Sequence, residues 1–170
     1  MQHVNWGFAG GTGTPPHIAL AQLQLMAKTK MLAVPFRGDP SLITAMRAGD
    51  IDVAVLNVGL AAAQNFRLLA FLRKERAPGY PDIPTATELG YPLVHEVVAG
   101  IVGPRGLPAP VVAKLAGACE AAVKSPRFIE IVKAGQQEIR YAGPEAFGKA
   151  IMDTNAVMAP IIRDAGIRAE

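Results

Sequence analysis

Through the first hundred residues, short apolar runs alternate with segments whose apolar positions recur every three or four residues. Val4–Phe8 and Met31–Phe36 are such runs, and each predicts a strand. Ile51–Leu56, IDVAVL, is nearly all apolar, as a parallel strand covered on both faces has to be. Between the first two lies Pro15–Ala27, with Ile18, Ala19, Leu23, Met26 and Ala27 at helical spacing. Thr14 is placed to cap this helix, and Pro15 or Pro16 suits its first turn. Pro40–Ala48 predicts a shorter helix stopped by Gly49, and Gly59–Gln64 another. Phe66–Leu72 reads as a further buried strand, Arg73–Pro84 as a loop, and Thr85–Leu89 as a brief helical turn.

The second half has a different rhythm. Val94–Val102 is apolar on both parities and ends at Gly103-Pro104, which predicts a long strand. Helices then dominate. Pro108–Lys124 places Val111, Val112, Leu115, Ala118, Cys119 and Ala122 on one side, and Arg127–Ala134 stops at Gly135. Glu138–Tyr141 predicts a short strand, and Pro144–Ala165 a last helix that Pro160 should bend or interrupt. Strands alternating with helices predict an α/β fold, a parallel-rich sheet with flanking helices.

Composition adds exclusions. The 170 residues are 51% apolar and 18% charged, enough for a packed core in one domain or two small lobes. No apolar run approaches the roughly 18 residues of a membrane span. Net charge is +3, but the basic residues are scattered and do not interleave with aromatics, so no nucleic-acid partner is expected. Cys119 is the only cysteine, which rules out an internal disulfide and a thiolate zinc cluster, and its helical position predicts a small buried hydrophobe. The opening MQHVNWGF has no basic stretch followed by an apolar one, so no secretory signal is expected in this chain. Either a signal was removed upstream or the product stays in the cytoplasm.

Ligands of parallel sheets sit at the carboxyl ends of strands. Three loops meet that description: Ala9–Thr14, Arg37–Ser41 and Asn57–Gly59. The first carries Gly10, Gly11, Gly13 and Thr14 just ahead of a helix start, where free N–H groups and the helix dipole favour an anion. It is neither a Walker A loop, since no Lys follows Gly13, nor GxGxxG, since position 16 is Pro. A plain glycine turn before a capped helix is the equally open reading. In the second loop the N–H groups and the Ser41 hydroxyl could hold another oxygen cluster, and Asn57 ends a strand with an amide able to donate and accept. His17 has no metal-ligand spacing to His3 or His95 and reads as structural, or as a partner of the loop backbone. Asp39, Asp50 and Asp52 read as solvated turn carboxylates. Ser41 and Ser125 are the only serines and neither lies in GxSxG, so no enzyme and no cofactor is expected.

Taken in order, these segments resemble the substrate-binding proteins of tripartite tricarboxylate transporters, the Bug family. FAGGTGTPPHIALAQL, LAVPFRGDPSLITAMRAGDIDVAVLN, YPDIPTATELGY, GIVGPRGLPAPVVAKLAGACEAAVKSP and EIRYAGPEAFGKAI carry the resemblance. It implies two α/β lobes closing on a small di- or tricarboxylate in the periplasm and delivery to the membrane components of the transporter. Carried over, the ligand contacts are Gly11, Gly13, Thr14, Gly38, Ser41 and Asn57, with a backbone amide from Val58 and His17 supporting the loop. The resemblance further implies a ligand-binding domain of the second-lobe type over residues 1–102, and over 103–170 the helical segment of a first lobe whose leading half is missing. The helices of that segment are then expected to bare an apolar side, on which the chain could form a homodimer. A truncated remnant without a transport role is the alternative, as is, less favoured, an enzyme using the glycine loop for an anionic substrate.

Overall fold

The computed structural model describes residues 4–95, 97–135 and 137–168, so His3 lies outside the described residues. The elements are β1 (Asn5–Ala9), α1 (Pro15–Ala27), β2 (Leu32–Phe36), α2 (Asp39–Ala48), β3 (Val53–Ala54), α3 (Val58–Ala63), α4 (Ala109–Val123), α5 (Pro126–Ala134) and α6 (Pro144–Asp164). The sheet is parallel, in the order β2-β1-β3. β1 is therefore central. It pairs Asn5–Ala9 with Leu32–Phe36 on one side and Trp6–Gly7 with Val53–Ala54 on the other.

The two faces of β1 are filled in opposite ways. Trp6 and Phe8 are both buried on one face, where they cluster with Leu20 of α1 and with Leu23, Met31, Val53 and Val55. Gly7 points to the other face. A Cβ there would stand 2.3 Å from Leu42 Cδ1 of α2, 3.1 Å from Ile51 Cγ2 and 3.2 Å from Phe36 Cε2. Leu42 thus occupies the room that a side chain at position 7 would take. Right-handed crossovers dictate this arrangement: β1→β2 steps one way and β2→β3 steps back past β1, so α1 and α2 cover opposite faces. The strand order reverses beside β1, and the loop after β1 opens at that reversal.

The chain divides into two compact units, 1–57 with 67–97 and 157–170, and 58–66 with 98–156. The units change over at 97/98, and the last fourteen residues return to the first. In the first unit, Phe71 N–H donates to Pro84 O at 2.8 Å and Ala86 N–H to Phe71 O at 2.9 Å. The PDIPTATELG segment is held there by a capping box. Glu88 N–H donates to Thr85 Oγ1 at 3.2 Å, Thr85 N–H donates to Glu88 Oε2 at 2.7 Å, and Arg76 Nε donates to both carboxylate oxygens at 2.9 and 3.1 Å. In the second unit, Ser125 caps α5 through Phe128 N–H, and Tyr141 Oη donates to Ala116 O of α4.

Four expected strands differ. Ile51–Leu56 shortens to Val53–Ala54, because the Asp52 carboxylate and Asp50 carbonyl take the Asn5 donors before it, and Phe8–Ala9 pair with β2 alone after it. Phe66–Leu72 makes only the isolated bridge Phe71↔Thr85, and Leu69 is exposed. Val94–Val102, of which residue 96 lies outside the described residues, forms no ladder. Val97, Ile101 and Val102 are 69–78% exposed, since no strand among the described residues covers them. Glu138–Tyr141 likewise joins no strand among the described residues. α6 continues through Pro160 rather than ending there. Cys119 is only half-buried, because no residue of α4, α5 or α6 is buried.

Gly7→Val should cost about 1–3 kcal/mol by overpacking against Leu42, read as a lower urea midpoint. The Glu88 carboxyl is held below its ordinary pKa by the Thr85 N–H, helped by Arg76 and the Thr85 hydroxyl against a smaller opposing desolvation. Its stabilisation is therefore complete above the unfolded value of about 4.3 and is lost as pH falls through the lowered folded value. The urea-midpoint gap between the native chain and Glu88→Gln should accordingly be present at pH 6 and vanish on acidification below that range.

Candidate functional site

The backbone leaving β1 turns through three left-handed glycines: Gly10 at φ +91°, Gly11 at +88° and Gly13 at +82°. Gly10 N–H donates to Phe36 O at 3.0 Å and so prolongs the ladder by one rung. Thr14 then opens α1 in extended conformation, but its side chain does not cap the helix. The hydroxyl turns back into the loop, 2.8 Å from Gly11 O and 3.2 Å from Ala9 O. Of the first three helical positions Pro15 and Pro16 have no N–H to give, and the hydroxyl, engaged in the loop, leaves the His17 N–H unpaired as well.

His17 closes the loop from the helix side. Its Nδ1 accepts the Gly13 N–H at 2.9 Å, which requires the neutral ring with its proton on Nε2. The ring stacks on Phe8 at 4.4 Å and 7° and lies 5.5 Å from Trp6. Burial lowers its pKa below the ordinary value. Across the loop, Ile167 Cγ2 lies 4.0 Å from where a Gly13 Cβ would stand.

These bonds decide which donors stay unpaired. Among the described residues, the N–H groups of Gly11, Thr12 and His17 have no hydrogen-bond partner. A helix start normally leaves its first N–H groups unpaired. Here two of those positions are proline, and the His17 N–H is what remains. Of the residues expected from the sequence, Gly11 thus presents its amide. Gly13 gives its amide to His17, and Thr14 gives its hydroxyl to the loop. Thr12 was not anticipated. Its side chain carries no signal, and only the left-handed glycines on either side mark it as a residue whose amide is left unpaired.

The loop after β2 is built differently. Gly38 is extended, at φ −175° and ψ 171°, and starts α2. Ser41 Oγ donates to Gly38 O at 2.9 Å and Leu42 N–H donates to the same oxygen at 3.3 Å. The Ser41 hydroxyl proton is therefore engaged within the turn. Among the described residues the Asp39 and Ser41 N–H groups have no partner, with Pro40 between them and the Asp39 carboxylate in the same turn. Asn57 is exposed at the end of the segment 1–57, and Val58 opens α3 in the other unit. Among the described residues no three His, Cys, Asp or Glu side chains are grouped to hold a metal, and no helix is long and apolar enough to cross a membrane.

A parallel sheet whose flanking helices start at glycine loops on its carboxyl edge is the architecture of periplasmic binding proteins. The solved structure of the periplasmic binding protein BugD superposes with a TM-score of 0.79 at 25% identity, over 98% of this chain and 58% of BugD. An R. palustris protein solved with adipate gives 0.80 at 20% identity over 98% and 57% of the two chains, and MatC from Rhodopseudomonas palustris with bound malate gives 0.76 at 22% over 94% and 56%. The chain belongs to the tripartite tricarboxylate transporter receptor family, whose sequence profile matches residues 2–167. Among curated relatives, BugT of Bordetella pertussis is 24% identical over 92% of this chain and 49% of its own length. A Pseudomonas protein of the UPF0065 group is 30% identical over 79% and 41%. The chain spans about half the length of the curated relatives it matches.

A Cβ on Gly11 meets nothing within 4 Å, so Gly11→Ala should cost only the left-handed backbone, about 1–2 kcal/mol, in a urea titration.

Proposed function

We propose that this chain provides a lobe of a periplasmic solute-binding protein, one that holds a small di- or tricarboxylate and delivers it to the membrane components of a tripartite transporter. Residues 1–102 supply the ligand loops of a second lobe, and the helices of 103–170 belong with a first lobe. Binding uses backbone amides at the strand exits, with Gly11, Thr12 and the His17 N–H as the principal donors. Gly38, Ser41, Asn57 and Val58 come to the ligand only through further contacts around it. Family membership supports the class of protein, and the adipate and malate held by two structural neighbours support the class of ligand. The single observation that carries the reading is the set of unpartnered N–H groups at the carboxyl end of the central strand. Binding rather than catalysis fits a loop whose one histidine uses Nδ1 to hold its own backbone.

Each hydrogen bond to a carboxylate contributes about 1.5–3 kcal/mol. Three of them are of the same order as the cost of association, about 4 kcal/mol or more, so this loop alone predicts weak binding, on the order of millimolar. Amide NMR titration with malate, adipate and citrate reads this directly. The Gly11, Thr12 and His17 amide resonances should move together and saturably, and the shifts should weaken in Gly11→Ala. Resonances unmoved at tens of millimolar of all three acids would refute the assignment.

A second reading concerns the helices. Ile131 and Met152 are 61% and 67% exposed, and no residue of α4–α6 is buried. A homodimer covering these side chains should sediment as such at micromolar concentration; a clean monomer there removes the reading.

A further inference from the structure

Resting on the reading of this loop as a carboxylate site, we propose that His17 is a proton-controlled latch: neutral, it fixes the loop in its donor-presenting shape, and protonated, it lets go, so that carboxylate binding weakens on acidification.

The latch is the 2.9 Å bond from Gly13 N–H to His17 Nδ1. An imidazolium carries hydrogen on both ring nitrogens and accepts from neither. After protonation two donors confront one another across that distance. Turning the ring over does not restore the bond, because it brings a C–H to the same place. Nor is the ring free to move aside, since it lies flat on Phe8 and against Trp6, which are 2% and 1% exposed. The loop is the softer partner. Gly13 has no side chain to hold it, and its left-handed conformation is one that glycine also leaves easily. Gly11 and Thr12 sit immediately before Gly13, so a shift there re-aims their unpaired amides.

Among the described residues, the groups in ring or hydrogen-bond contact with His17 carry no charge: Trp6 and Phe8 from β1 and the Gly13 backbone from the loop. Burial alone depresses its pKa, and no charged side chain contributes. The latch is therefore closed near neutrality and opens at a pH below the ordinary histidine value of about 6.5.

Trp6 is the only tryptophan, and its ring centre lies 5.5 Å from that of His17, so quenching of its emission by the imidazolium reports the ionisation itself. Without ligand, emission of the intact chain should show a step below pH 6.5 that is absent in His17→Asn. The asparagine Oδ1 stands close to the Nδ1 position and accepts from Gly13 N–H without titrating. Malate affinity of the native chain, divided by that of His17→Asn to cancel protonation of malate, should fall across the same step, approaching about tenfold per pH unit below it. A ratio that stays flat or rises, as simple attraction of malate to a cationic ring would give, overturns the latch and leaves the binding site standing. So does emission without a step down to the acid limit at which the chain stays folded. Should His17→Asn fail to fold, that emission titration still decides. Absence of malate binding in either protein at every pH overturns both proposals.

Discussion

The structure rests on the burial of β1 from both sides. A five-residue strand at the centre of a sheet has to satisfy two ladders and two layers at once. This one does so by putting aromatic bulk on one face and no side chain on the other. Trp6 and Phe8 fill the space under α1, and Gly7 lets Leu42 bring α2 down onto the backbone. The direction of the loop that follows is set by the same arrangement. It leaves a rigid strand end, and its first amide is still held by Phe36.

That rigidity makes an irregular loop useful. Left-handed glycines alone would leave a flexible turn. Here the Thr14 hydroxyl ties it from within and His17 ties it from the helix. The paired prolines narrow the set of donors further. Where most helix starts offer several amides, this one offers His17 alone, beside Gly11 and Thr12 from the loop. Phe8 takes part twice, as core residue and as the platform on which the imidazole lies.

Much of the first unit could be read from sequence because its signals are local. Pro15–Ala27 and the helix ending at Ala48 have proline starts, apolar periodicity and a Gly49 stop, and their limits agree with the structure to within a residue. The family resemblance likewise agrees with the profile match across the chain. The failed strands share one cause. Phe66–Leu72, Val94–Val102 and Glu138–Tyr141 have strand composition, but a strand exists only where a second strand lies alongside, and composition is silent about neighbours. At the site, glycines and the helix start were visible from spacing. What was not visible was how each donor is used. Whether the Gly13 amide is free depends on a nitrogen four residues away, and whether Thr14 caps its helix depends on the carbonyls its hydroxyl meets in the loop.

The first unit is drawn from three separated stretches of chain, and the far one supplies Ile167 beside Gly13. Contacts across more than a hundred and fifty positions are among the slowest for a polypeptide to find, because so much intervening chain must be ordered first. During synthesis the nascent β1 and its loop emerge long before the residue that flanks them. The glycine turn therefore reaches these surroundings only once Ile167 has been made and has folded back against it.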